Sequence, residues 1–207
     1  MRNALLITLF LFSASIALAG DSCRFLLKHD LQASIHNAAI GMPPHFINGR
    51  IHPGIEVGFL QTISKKQHKN NPEQGIFLGY MAQQALQRSL YAKYLLGYKI
   101  KTYKSWWVKP GLQLGVMGVH QRNAEFKLNA QGEYEKISAL RAQFLTGLHL
   151  ETGLHIGYFK QYPLQLVGRY ELAMQWPFSQ ISSLLPINQM HLGLRASNKV
   201  NNRYQKK

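Results

Sequence analysis

Residues 89–101 read Ser89-Leu90-Tyr91-Ala92-Lys93-Tyr94-Leu95-Leu96-Gly97-Tyr98-Lys99-Ile100-Lys101, and their alternation decides the fold. Successive side chains of an extended chain point to opposite faces. Leu90, Ala92, Tyr94, Leu96, Tyr98 and Ile100 therefore share one face, and Tyr91, Lys93, Leu95, Gly97 and Lys99 share the other. A helix would scatter both sets around its circumference; a strand sorts them into an apolar side and a side of lysine, glycine and a few large residues.

The same period of two recurs on both sides of this stretch. In 52–63, Ile55, Val57 and Phe59 oppose Glu56, Gly58 and Thr62; in 75–86, Ile76, Leu78, Tyr80 and Ala82 oppose Phe77, Gly79, Met81 and Gln83. In 106–120, Val108, Leu112, Leu114 and Val116 oppose Lys109, Gly111, Gln113 and Gly115, and in 141–155, Ala142, Phe144, Leu148 and Leu150 oppose Gln143, His149, Glu151 and His155. In 164–175, Leu166, Tyr170, Leu172 and Met174 oppose Arg169, Glu171 and Gln175; in 187–197, Met190, Leu192 and Leu194 oppose Gln189, His191 and Arg195. With a weaker segment at 24–35 the strands number eight.

These segments run about 11 to 15 residues, against the usual five or six of a soluble strand. A tilted strand needs about 9 to 11 residues to cross a bilayer, so the reading is all-β: an eight-stranded antiparallel up-and-down transmembrane β-barrel. A soluble barrel would turn its apolar face inward. Here the apolar face is expected outward, with Glu56, Lys93, Lys109, His149, Glu151, Arg169, Glu171 and Arg195 forming a polar network in the lumen, where charges pair because isolated buried charge is costly.

Composition narrows the alternatives. The chain has 207 residues, 46% hydrophobic and 16% charged, with 24 Lys and Arg against 9 Asp and Glu for a formal charge of +15. That apolar content excludes a disordered chain, and a lone cysteine, Cys23, excludes an internal disulfide. Met1-Arg2-Asn3, the apolar run 5–18 and Ala17-Leu18-Ala19 have the three parts of a cleaved signal peptide; about 14 apolar residues are too few for a spanning helix. The expected organisation is a signal peptide at 1–19, a barrel domain at 20–197 and a basic, disordered tail at 198–207. Cleavage removes one Arg and no acid, and many of the remaining basic residues are expected in lumen, turns and tail.

If the first strand starts in the periplasm, outward connections fall at 36–51, 87–88, 121–140 and 176–186, and inward turns at 64–74, 102–105 and 156–163. Three of the four outward connections are long, as in barrels whose extracellular loops exceed their periplasmic turns. Tyr98, Tyr103, Trp106, Trp107, Tyr158 and Trp176 lie near strand ends and are expected to form aromatic girdles at the water interface.

His52-Pro53-Gly54-Ile55-Glu56-Val57-Gly58, Leu78-Gly79-Tyr80, Leu96-Gly97-Tyr98 and Pro186 followed by His191-Leu192-Gly193-Leu194-Arg195 carry a resemblance, together with the loop 127–135. Over residues 50–197 the chain resembles small single-chain bacterial outer-membrane β-barrel proteins of an uncharacterised type. The resemblance implies a barrel in the cell outer membrane, installed by the outer-membrane assembly machinery. Such barrels commonly end on an aromatic residue, whereas this chain runs on from Leu194 into a polar tail.

No cofactor is indicated. His149, Glu151 and His155 share a face, but six residues at about 3.3 Å each hold the two imidazoles roughly 20 Å apart, so no metal site is expected from them. No histidine and serine stand in a pattern followed by an acid, which leaves a barrel-wall lipid hydrolase as an alternative rather than the first reading. The basic residues show no nucleic-acid-binding signature; outer-membrane lipid, including lipopolysaccharide phosphate, is the expected anionic partner. An eight-stranded lumen filled by side chains is no open channel. The expected role is structural, adhesive or surface-loop binding, carried by 37–50, 121–140 and 176–186; a soluble periplasmic ligand-binding barrel is the remaining alternative.

Overall fold

Long runs of alternating residues give long strands. The computed structural model describes residues 29–40, 52–63, 70–83, 87–103, 105–121, 126–128, 132–136, 140–160, 162–177 and 184–197. The elements are β1 (Asp30–Ile40), β2 (Pro53–Thr62), β3 (Asn70–Gln83), β4 (Gln87–Tyr103), β5 (Trp106–Gln121), β6 (Phe126–Leu128), β7 (Tyr134–Lys136), β8 (Leu140–Phe159), β9 (Tyr162–Trp176) and β10 (Leu185–Ala196). Eight of them close into a barrel in the order β1-β10-β9-β8-β5-β4-β3-β2, every pair antiparallel. This is the expected eight-stranded up-and-down arrangement, and closure leaves no free sheet edge. The seam is the pairing of the first strand with the last, from Leu31 opposite Ala196 to Ile40 opposite Ile187.

Strand boundaries differ from the sequence reading in four places. The first strand is described from Asp30 and continues to Ile40, so 36–40 belongs to the wall rather than to a loop. β3 begins at Asn70, inside the stretch expected to be a turn, and Gln87 and Arg88 open β4 instead of forming a connection. β8 runs to Phe159, which reduces the turn expected at 156–163 to residues 160–161. The long connection after β5 carries a small hairpin of β6 and β7, with Gly132 at φ 82 in the left-handed region of its turn. The expected signal peptide and the expected tail lie outside the described residues.

One barrel end bears both strand termini and the connections 63–69, 104–105 and 160–161; the other bears 41–52, 84–86, 122–139 and 177–184. These are called the terminal end and the loop end.

The wall is turned inside out relative to a soluble barrel. Ile35, Leu78, Leu90, Leu114 and Met190 are each more than 60% exposed on its outside. Outward positions from Leu90 to Ile100 on β4, Val108 to Val116 on β5, Ala142 to Leu154 on β8 and Met190 to Leu194 on β10 hold no charged side chain. Among the described residues no helix is long and apolar enough to cross a membrane.

The charge-paired interior as the candidate functional site

Because side chains alternate along every strand, the inward set is fixed once the outward set is. Glu56, Lys93, Lys109, His149, Glu151, Arg169, Glu171 and Arg195 are all buried, none more than 4% exposed. They belong to six strands, and the barrel brings all of them except His149, whose ring nitrogens have no hydrogen-bond partner, into two ion-paired clusters.

The first cluster centres on Arg169 of β9. Its guanidinium pairs with Glu56 of β2 through Nη2, with Glu151 of β8 at 3.3 Å through Nη1 and with Glu171 at 2.6 Å through Nε. Lys93 bridges two of these three acids, 2.5 Å from Glu56 Oε2 and 2.8 Å from Glu171 Oε1. Lys109 lies 2.6 Å from Glu151 Oε1. Neutral groups complete the shell: Tyr91 Oη donates to Glu56 Oε2 at 3.0 Å, and Gln32 Nε2 donates to Glu151 Oε2 at 3.1 Å.

The second cluster lies nearer the terminal end, around Arg195 of β10. Arg195 Nη2 is 2.5 Å from Asp30 Oδ2 and its Nη1 is 3.0 Å from Glu73 Oε2. Lys99 and Lys109 reach Glu73 at 3.2 and 3.5 Å. Ser197 Oγ donates to Asp30 at 3.2 Å and accepts from Gln165 Nε2 at 3.1 Å. Asp30 and Glu73 were not among the expected site residues: Asp30 begins a weakly alternating strand and Glu73 sits in a stretch read as a turn. Their signal was parity, since Glu73 shares a face with Phe77, Gly79 and Met81.

Apolar layers separate the polar ones. Ala38, Met81, Tyr91, Met117, Val119, Leu145, Ala173 and Ile187 pack together toward the loop end, while Leu60, Phe77 and Leu95 of β2, β3 and β4 lie between the ion clusters. Beyond the larger apolar layer, Gln175 binds Gln143 and accepts from Gln87 at 3.5 Å. The interior is thus an amide layer, an apolar layer, an ion cluster, an apolar trio and a second ion cluster.

Among the described residues, the acids and bases of this interior balance. Asp30, Glu56, Glu73, Glu151 and Glu171 face Lys93, Lys99, Lys109, Arg169 and Arg195. Of the basic residues expected in lumen, turns and tail, five thus lie in the described lumen, each matched by an acid. The ten groups cancel, leaving 19 of the 24 Lys and Arg and 4 of the 9 Asp and Glu elsewhere, which is the whole formal charge of +15. Neutrality follows from energetics, because a desolvated charge without a partner costs several kcal/mol.

Glu56, Glu171 and His191 offer ligand atoms within 4.8 Å of one another. Sequence reading did not assemble this trio, whose members lie on three strands. The positions a cation would take are already held: Lys93 and Arg169 contact both carboxylates, and Arg169 Nη2 lies 3.2 Å from His191 Nδ1. The trio fits an internal salt-bridge network better than an ion cage.

Catalytic geometry is equally sparse. The buried hydroxyls of Ser34 and Ser89 make no hydrogen bond, nor do the ring nitrogens of His36 and His149. A groove of about 340 Å³ on the outer wall is lined by Pro110, Gly111, Leu148, His149, Leu150, Tyr170 and Leu172. No serine, cysteine or acid lines it.

Of the expected girdle residues, Tyr98, Trp106, Tyr158 and Trp176 are 49–67% exposed on the outside, Trp176 stacking on Phe144 with centroids 6.0 Å apart. Only the backbone of Tyr103 is described. Trp107 is a correction: it is 4% exposed and points into the barrel, where its Nε1 donates to Gln165 Oε1 at 3.0 Å and Lys99 Nζ lies 4.4 Å from its ring centroid. It shares parity with Lys109, and Gly153 on β8 makes room, since a Cβ there would lie 2.2 Å from the indole.

No family model matches the chain, and no curated protein matches it. Among solved structures it is similar to the outer membrane enzyme PagL (15% identity, 80% of this chain and 97% of that one, TM-score 0.44). It is also similar to Neisserial surface protein A (12%, 82% and 97%, TM-score 0.44) and to Ail, the attachment invasion locus protein of Yersinia pestis (8%, 81% and 96%, TM-score 0.38). Similarity at this level transfers no residue role, and the barrel stands on its own strand pairing.

Proposed function

We propose that this chain is an outer-membrane protein that spans the bilayer with eight strands, keeps a filled, electrically neutral interior and presents its loop end at the cell surface in a structural, adhesive or binding role. The observation that carries this reading is the inversion of the wall. Uncharged, mainly apolar side chains cover the outside along the middle of the long strands, while ten ionised side chains lie paired inside. Water would not favour such a surface: contiguous apolar patches beyond a few hundred Å² are rare on soluble monomers. The filled interior supports a role without bulk transport. The first residues, with their positive start, apolar run and small-residue site, support export through a cleaved signal peptide.

The test is fractionation followed by detergent gel electrophoresis of the mature chain. The expected result is recovery in the outer membrane and faster migration of the unheated than of the boiled protein. A chain that remains soluble without detergent and migrates identically with and without heating sinks the membrane reading and favours the periplasmic barrel.

A further inference from the structure

The cancellation of charge inside the barrel makes the distribution outside it informative. In the sequence, segments 20–29, 63–69, 101–105, 160–161 and 197–207, which adjoin the strand ends of the terminal side, contain twelve basic residues against one acidic, Asp21; segments 41–52, 84–88, 122–141 and 177–184, which adjoin those of the loop side, contain six against three. The described part of the terminal end shows how such charge is presented. β8 continues to Phe159, although its neighbour β5 begins at Trp106 opposite Leu154, so the β8–β9 hairpin projects past the adjoining wall. A bulge between His155 and Gly157, with Gly157 at φ 152, re-aims the strand there. On this projection Ile156, Tyr158 and Phe159 are 52%, 67% and 62% exposed, with exposed Lys160 at the tip. Beside it, Ser105 accepts from the His155 amide at 3.2 Å, joining the β4–β5 turn to β8, and that hairpin presents Tyr98, Trp106 and Lys101.

Aromatic side chains followed by lysines at the edge of an apolar wall match the boundary between hydrocarbon and headgroup, where the ring stays in the apolar zone and the ammonium reaches the phosphate. We infer that the rim formed by Tyr98, Lys101, Trp106, Tyr158, Phe159 and Lys160 binds the headgroups of anionic phospholipid in the leaflet at the terminal end. In the orientation proposed above, on which this inference rests, that is the periplasmic leaflet. Lipopolysaccharide would meet the loop end, where the charge surplus is much smaller.

The mature chain with Trp176→Phe is refolded into phosphatidylcholine vesicles containing phosphatidylglycerol, and quenching of Trp106 is compared when the bromine is carried by one lipid or the other at equal mole fraction. Trp107 points into the lumen and supplies a constant background. Brominated phosphatidylglycerol is expected to quench more, the difference shrinking as salt rises. The preference should fall by about fivefold for each lysine removed in Lys101→Gln and Lys160→Gln. Equal quenching by the two lipids, or a preference that the double variant keeps intact, overturns the inference. So does enrichment of anionic lipid or lipopolysaccharide around Trp176 rather than Trp106 in the reciprocal Trp106→Phe protein. A chain that does not fold into phosphatidylcholine vesicles, shown by absence of the heat-dependent gel shift, speaks against the membrane reading; one that folds there without lipid preference overturns only this inference.

Discussion

Glu56 and Arg169 stand 113 positions apart in the sequence and in direct contact across the barrel interior, with β1 and β10 lying between their strands around the wall. The contact spans the lumen instead of following the sheet, and Lys93, Glu151 and Glu171 extend it on every side. Replacing Glu56 with Gln leaves Arg169 and Lys93 short of one negative charge in a desolvated space. The expected loss is about 3–5 kcal/mol. Urea unfolding of the protein in vesicles measures it. Adding Arg169→Met to Glu56→Gln should recover part of the loss; strict additivity of the two changes would contradict a shared network.

The outer wall gives a second expectation. Leu114 is 61% exposed at mid-strand on β5. Leu114→Arg should destabilise the protein in a bilayer by about 2–4 kcal/mol, whereas Leu140→Arg, at the first residue of β8, should cost about 0–1. In a barrel surrounded by water both changes would be nearly neutral, so the ratio of the two unfolding free energies reports the environment of the wall.

Glycines on the inner wall make space for large side chains. A Cβ at Gly79 would lie 2.3 Å from Tyr91 Cζ and 2.4 Å from its Oη, the atom that donates to Glu56; at Gly118, on the outside, the nearest atom is a backbone oxygen at 3.9 Å. Gly79→Ala should cost about 1–3 kcal/mol, while Gly118→Ala should change little. Chemical denaturation of both variants checks the contrast, and comparable losses would show that interior crowding is not the cause.

The two adjacent tryptophans should report opposite environments. In single-tryptophan variants, brominated lipid is expected to quench Trp106 strongly and Trp107 weakly, since the former is half exposed on the wall and the latter buried beside Lys99. Equal quenching would mean that Trp107 does not face the lumen.

How much of this was legible follows from what alternation can and cannot encode. A strand such as β4 declares both faces, because Leu90 through Ile100 are apolar on one side while Lys93 and Lys99 mark the other. β1 declares little: Ala33, Ser34, Ala38 and Ala39 are small on both faces, and its true extent emerges only from pairing with β2 and β10. Trp107 was misplaced because clustering near a turn was weighed above its parity with Lys109. The partners inside the barrel were beyond sequence reasoning. Which acid meets Arg169 depends on register and on the stagger of the strands, and neither is written in a single strand.

The clasp of Arg195 to Asp30 joins residues 165 positions apart, one on the last strand and one on the first, beside the seam that closes the barrel. Neither partner can find the other until every intervening strand is in place. With the seam open, Arg195 would be left with Glu73 alone of its two acids and Asp30 would lose its guanidinium, which disfavours burial of that intermediate in lipid. Correct register at the seam is what brings this pair together, so the closed barrel is favoured over one left open at the first and last strands.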